Sequence, residues 1–261
     1  TMAAMQLGKH VYCQKPLTHT VYEARKITEA ARRYKVQTQM GNQGHSSEQI
    51  RLLKEWLADG AIGDVRQVYA WTDRPVGGNP WSDFAVMARP KDTPPVPQSL
   101  DWDLWLGPVR YRPYHPEYHP MKWRAWLDFG TGALGDMGCH HFNHAFKALK
   151  LGFPTGVSAS ASKVFDESAP LASIVTYEFP AREGMPPLRL VWYDGGLKPP
   201  RPKQLEPGRE LPNDGNMYVG TKGVMMGGMG HEMMIPESKR RAYKKPPKTL
   251  ERRSGTWGEW V

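Results

Sequence analysis

"HVYCQKPLTHT", residues 10–20, decides how this chain is read. His10, Val11, Tyr12 and Cys13 form a β-branched and aromatic run with the texture of a short buried strand. The run stops at Gln14-Lys15-Pro16, and TVYEARKITEAARRY, 20–34, follows as an amphipathic helix. Val21, Ala24, Ile27, Ala30 and Ala31 recur there at helical spacing. Thr18 or Thr20 is the candidate cap, and Glu23 stands three after Thr20 as in a capping box. The lysine between strand and helix needs an explanation. Pro16 disfavours helical geometry at Lys15, and a cation near a helix N-terminus is electrostatically unfavourable. Ligands of open α/β sheets bind at the carboxyl ends of strands. Lys15 is placed to donate a hydrogen bond to a bound oxygen; the plain alternative is an exposed lysine at a helix start.

Downstream, VQTQM, 36–40, reads as a second strand, stopped by Gly41-Asn42-Gln43-Gly44. SSEQIRLLKEWLA, 46–58, gives a second helix with Ile50, Leu53, Trp56 and Leu57 on one side and Ser46 or Ser47 as its cap. Strand, helix, strand, helix is the order of a parallel sheet covered by helices. After Gly63 the texture changes. DVRQVYAWTDR, 64–74, alternates like a half-buried strand, and a Pro- and Trp-rich connection fills 75–129. Its many aromatics argue for an ordered segment. A helix is expected over 132–149, followed by strand-like runs TGVSASASKV, ASIVTYEFPA and LRLVWYDG and a hairpin around MYVGTKGVMMGG. The expected fold class is α/β plus α+β. The C-terminal part of a Rossmann-type parallel sheet, residues 1–63, precedes an open, mainly antiparallel sheet domain with helices on one face, residues 64–261.

Composition narrows the function classes. Hydrophobic residues make up 39% and charged residues 23%, with a mean hydropathy of −0.61. No run approaches the ~18 apolar residues of a membrane helix, so no membrane partner is expected. TMAAMQLGKH lacks the basic start and apolar core of a signal peptide and reads as cut from inside a longer protein. Cys13 and Cys139 are too few for a disulfide framework and are expected reduced and buried. The net charge of +9 is concentrated in SKRRAYKKPPKTLERR, 238–253, with eight Lys/Arg and one Glu. Only Tyr243 is aromatic there and no nucleic-acid motif accompanies it, so a solvated loop is expected and no nucleic-acid partner.

DFGTGALGDMGCHHFNH, 128–144, is the stretch richest in chemistry. Gly130, Gly132 and Gly135 match G-x-G-x-x-G, but no strand precedes them and no acid follows about 20 residues on. They read as a glycine turn opening a helix. Asp136 and His140 stand four apart and share a helix face. A carboxylate beside an imidazole can set its tautomer and basicity for moving a hydroxyl proton; the plain alternative is a capped helix start with a core histidine. Gly135 and Gly138 cost helix stability, roughly 1 kcal/mol each, and are expected to let a ligand or another backbone come close. His140 and His144 have a workable zinc spacing, but no HExxH and no third ligand accompany them, and no metal is expected.

Taken together, these residues resemble the glucose–fructose oxidoreductase, inositol dehydrogenase and rhizopine-catabolism (Gfo/Idh/MocA) oxidoreductases. GKHVYCQKPL, 8–17, looks like the family's strand ending in E-K-P, and GTGALGDMGCHH, 130–141, like its G-G-x-x-x-D-x-G-x-H helix. MGNQGHS, 40–46, and the Trp-rich insert look most like an environmental, planctomycete-type bacterial branch. Gln14 departs from the usual Glu, and Gly130-Thr131-Gly132 from the glycine pair. The resemblance implies hydride transfer between NAD or NADP and a sugar or polyol hydroxyl. Lys15, Asp136 and His140 inherit the catalytic places: His140 takes the proton, Lys15 polarises the oxygen, and Asp136 orients the substrate or His140. Gln14, Lys15, Pro16, Asn42 and Gln43 are implied at the cofactor, and Trp123, Arg124 and His141 at the substrate. The aromatics of 102–126 suit stacking on sugars or ordinary packing. The resemblance further implies a homo-oligomer formed through the sheet domain, and residues 1–63 as a remnant whose first βαβ units and G-x-G-x-x-G loop are missing. An NAD-dependent glycoside hydrolase of the same fold and a non-catalytic carbohydrate-binding protein are the alternatives.

Overall fold

The computed structural model describes residues 1–228 and 231–261. A first unit holds α1 (Met2–Gln6), β1 (Val11–Gln14), α2 (Val21–Tyr34), β2 (Thr38–Gly41) and α3 (Glu48–Ala58). β1 and β2 pair in parallel, with Gln14 opposite Gly41, so their carboxyl ends lie side by side. The local chemistry is that expected. Thr20 Oγ1 accepts from the Glu23 N–H and a Glu23 carboxylate oxygen accepts from the Thr20 N–H, closing the capping box. Ser47 caps α3.

The second unit begins with β3 (Val65–Trp71) and continues through α4 (Trp102–Leu106) and α5 (Gly132–Ala148). The strands β4 (Gly156–Ala161), β5 (Ser173–Phe179), β6 (Leu188–Tyr193), β7 (Gly215–Gly220), β8 (Val224–Gly227) and β9 (Met233–Ile235) follow, then α6 (Glu237–Ala242) and α7 (Gly255–Trp260). Seven strands form one sheet in the order β4-β5-β6-β3-β7-β8-β9. Its pairs are antiparallel except the central β3–β6 pair, which is parallel. Leu53 and Trp56 of α3, Ala145 of α5 and Leu149 just past it pack on Val65, Val68, Leu190 and Tyr218 of this sheet. Each fully buried side chain of this size contributes roughly 1.5–3 kcal/mol. No helix among the described residues is long and apolar enough to cross a membrane.

The 75–129 connection is ordered by a core of its own, in which Phe84, Trp102, Leu106, Tyr118, Trp126 and Ala133 are buried together. Trp102 stacks on Trp105 at 4.8 Å, and the Trp102 and Trp126 indoles donate to the Arg112 and Glu117 carbonyls, both at 2.8 Å. Most of the aromatics weighed for sugar stacking are therefore packing residues. Two further expectations are corrected. Cys13 and Cys139 are free thiols, but only half-buried.

The basic stretch 238–253 is not simply a solvated loop. It starts as α6, and Arg252 then clamps onto α3. Glu55, buried on α3, accepts from Arg252 at 2.5 and 2.7 Å and from the Thr249 and Leu250 N–H groups at 2.7 and 2.9 Å. Hydrogen bonds from Arg252 outweigh burial and push the Glu55 carboxyl down to about 2. Beyond this clamp, α7 closes over the first unit: Trp257 stacks at 4.9 Å on Tyr12, and Ser46 donates at 2.6 Å to Glu259. Arg252→Gln leaves Glu55 ionised without its cation, so a loss of stability is expected. The melting temperature should fall; an unchanged melting temperature would mean the clamp contributes nothing.

Candidate active site

Four elements converge on one carboxylate. Asp136, 3% exposed at its side chain, lies in the second turn of α5. Lys15, leaving β1, donates to its Oδ1 and to its backbone carbonyl, both at 2.9 Å. Arg74, just past β3, donates to Oδ2 at 2.6 Å, and Arg124, from a 3-10 turn at Lys122–Ala125, donates to Oδ1 at 3.1 Å. Burial alone would raise the pKa of Asp136. The hydrogen bond and charge of Lys15, then the charges of Arg74 and Arg124, outweigh it and hold the carboxyl below its ordinary range.

Arg74 was not among the residues singled out from sequence. Its backbone is held by the parallel neighbour of β3: the Gly195 N–H donates to the Arg74 carbonyl at 2.7 Å, and the Thr72 N–H to Tyr193 at 3.1 Å. The available signal was Arg74-Pro75 at a strand end, the same arrangement as Lys15-Pro16.

His140, one turn beyond Asp136, bonds through Nδ1 to Asn42 Oδ1 at 2.6 Å. The Asn42 amide nitrogen is turned the other way and donates to the Cys139 carbonyl at 2.5 Å. Oδ1 is thus the atom facing His140, so Nδ1 carries the proton and Nε2 keeps its lone pair. Burial first, then the positive charge of Lys15, push His140 down to about 4. The imidazole is neutral at pH 7 and its Nε2 is a proton acceptor.

The other expected residues divide. Gln14 and Gln43 are exposed and joined, Gln43 Nε2 donating to Gln14 Oε1 at 3.2 Å. Asn42 is 2% exposed and bonds His140. His140 is oriented by Asn42, not by Asp136. Trp123 lines a groove of about 490 Å³ with Pro16, His19, Gly130 and Thr131, and Arg124 lies 4.6 Å over its ring. His141 points away from the site. It is 1% exposed and bonds Asn216 and Asp214 on the sheet side, both at 3.1 Å. His144 also turns to the sheet, bonding Glu232 at 3.2 Å, so it does not join His140. Gly135 and Gly138 serve their own helix: a Cβ at Gly135 would collide with Thr131, and one at Gly138 would lie 3.2 Å from Leu134. The G-x-G-x-x-G letters at 130–135 open α5 and follow no strand.

Comparison with known proteins agrees with this architecture. Residues 1–42 match the NAD-binding Rossmann fold of the oxidoreductase family, and residues 48–163 match that family's C-terminal alpha/beta domain. Both matches are to the Gfo/Idh/MocA oxidoreductases, they cover well over half of the chain, and the chain belongs to that family. A 1,5-anhydro-D-fructose reductase of Ensifer adhaerens is 36% identical over 63 residues, 24% of this chain and 19% of that protein. An NAD binding oxidoreductase from Klebsiella pneumoniae superposes with a TM-score of 0.54 at 22% identity, over 87% of this chain and 50% of that one. An inositol dehydrogenase homolog from Azotobacter vinelandii, solved with NADH and myo-inositol, gives a TM-score of 0.52 at 17% identity, over 86% of this chain and 46% of that one. The chain thus spans about half the length of these solved structures.

NAD(P) is the cofactor class of this fold, and the residues present fit its nicotinamide end. Gln14, Lys15 and Gln43 stand at the adjoining carboxyl ends of the two parallel strands. Gly41 opposite Gln14 keeps that edge open, since a Cβ there would lie 2.5 Å from Gln14 Oε1.

Proposed function

We propose that the protein is an NAD(P)-dependent oxidoreductase acting on a hydroxyl-bearing carbon of a sugar or polyol. The observation that carries this reading is a neutral His140, its tautomer set by Asn42, beside a lysine whose place is pinned by Asp136. Gln14, Lys15, Pro16 and Gln43 would hold the nicotinamide end of the cofactor. When bound, the nicotinamide accepts or returns a hydride. Lys15 has three N–H donors, and Asp136 uses two of them. The third is left for the substrate oxygen. His140 Nε2 takes the proton of that hydroxyl, leaving its carbon ready to give up hydride. Asp136 holds Lys15 in place and stays ionised throughout.

The test is calorimetric binding of NAD and NADP, with turnover of a panel of sugars and polyols followed by reduced-nicotinamide absorbance. Dinucleotide binding with oxidation of a polyol hydroxyl supports the reading. No dinucleotide binding by the full-length polypeptide overturns it, and glycoside cleavage without net cofactor change replaces it with the hydrolase reading. Asn42→Ala frees the His140 tautomer, so kcat should fall about tenfold to a hundredfold while dinucleotide affinity stays unchanged. Equal kcat for the variant and the parent would remove Asn42 from the machinery.

A further inference from the structure

Asp136 is surrounded by more positive charge than one carboxylate balances. Lys15, Arg74 and Arg124 bring three cations to it. The next carboxylate, Asp214, is bound by His141 and Thr72 and also feels the charge of Arg74. Within this cluster three cationic side chains thus face two carboxylates, Asp136 and Asp214. Its hydrogen bonding is also incomplete. Arg74 donates only through Nη1, to Asp136 and Met137, and Arg124 only through Nε and Nη1, to Asp136 and Met121. Arg74 Nε and Nη2 and Arg124 Nη2 meet no acceptor among the described residues. The three cationic side chains are 18%, 23% and 22% exposed, enough to be reached from outside yet too little to be fully hydrated. Lys15 and Arg124 directly neighbour, in the chain, Pro16 and Trp123, which line the groove, and Arg124 lies over the Trp123 ring.

We propose that this site takes an acidic sugar: a sugar or polyol whose carboxylate or phosphate is bound by the spare N–H donors of Arg74 and Arg124 while a hydroxyl faces Lys15 and His140. The hydroxyl half of this statement rests on the oxidoreductase reading; the anion half does not. Planar guanidinium groups match carboxylate and phosphate geometry in a way a single ammonium does not. A neutral sugar leaves the surplus charge uncompensated in a partly desolvated place, whereas an anion cancels it. Arg74 and Arg124 thereby become specificity residues as well as anchors of Asp136.

Calorimetry on the protein with matched probes tests this: D-glucuronate and D-glucose 6-phosphate against D-glucose, and D-gluconate against sorbitol, each with and without NAD. The acidic member of a pair should bind at least about tenfold more tightly. That ratio should shrink as salt is raised, because screening weakens charge recognition. Tighter binding of the carboxylates names a sugar acid, and tighter binding of the phosphate a sugar phosphate. Arg74→Gln and Arg124→Gln should each cut the preference severalfold. Where a variant fails to fold, the salt dependence of the unmodified protein decides. Equal affinity for acidic and neutral members, or binding of neither, overturns the proposal. Turnover of neutral polyols without preference for acids overturns it while leaving the oxidoreductase reading intact. Acid binding without any dinucleotide binding does the reverse.

Discussion

Asp136→Asn is expected to lower kcat by about 10²-fold while leaving dinucleotide affinity within about twofold. The substitution keeps the shape of the side chain and removes only its charge. Lys15, Arg74 and Arg124, all within 3.1 Å of the carboxylate, then face one another without a counter-ion. Mutual repulsion moves Lys15 away from the substrate oxygen, and misplacement by about 1 Å suffices for a loss of this size. Stability falls as well, by about 2–4 kcal/mol, because cations partly withdrawn from water lose their partner. Acid pH should imitate the substitution. The folded-state pKa of Asp136 lies below the ordinary aspartate range, so its contribution is complete above that range and is lost as pH falls below it. The decisive readout is kcat for Asp136→Asn set beside its melting curve. A folded variant with unchanged kcat would make Asp136 a purely structural anchor.

Much of this site was legible in the sequence wherever the determining interaction is local. Thr20 and Glu23 are three residues apart, and their capping box formed as read. Lys15 stood out because a strand, a cation and a proline follow one another directly. Asp136 and His140 share a face because helical geometry puts residues four apart together. What stayed hidden are the contacts that the tertiary fold makes between distant residues. Arg74 meets Asp136 across 62 positions, and Asn42 meets His140 across 98. Neither pairing has a period or a spacing to betray it. His141 was misplaced for a related reason. One residue along a helix is a rotation of about 100°, which here takes the imidazole from the site to the sheet. Its partners Asp214 and Asn216 stand at the start of β7, whose register sequence pattern alone does not fix. Of the two readings of the aromatic insert, packing accounts for most of its rings, because a segment of that length must build its own core to be ordered, and its tryptophans do so.

His140→Ala is expected to lower kcat by about 10²–10⁴-fold, the range for loss of a general base, and the pH profile of the parent enzyme should explain why. Burial and the charge of Lys15 hold His140 at about 4, so the base is unprotonated across the neutral range. The rate should therefore stay level as pH falls from 7 to about 5 and bend down only near pH 4. An imidazole at its usual 6.5 would instead lose most of its activity by pH 5.5. The cause can be tested separately from the effect. Lys15→Met removes the nearest cation, and the acid limb should then move up toward 6.5 even as the rate drops. Folding stability carries the same signature. A histidine whose folded-state pKa is depressed binds its proton more readily in the unfolded chain. Its stability contribution is thus full above about pH 6.5 and declines as pH falls to about 4, by about 3 kcal/mol in all. His140→Gln should flatten that part of the stability curve, because glutamine does not titrate. If the acid limb of the parent lies near 6.5 and survives in His140→Gln, the proton acceptor is another group, and the catalytic reading of α5 fails with it.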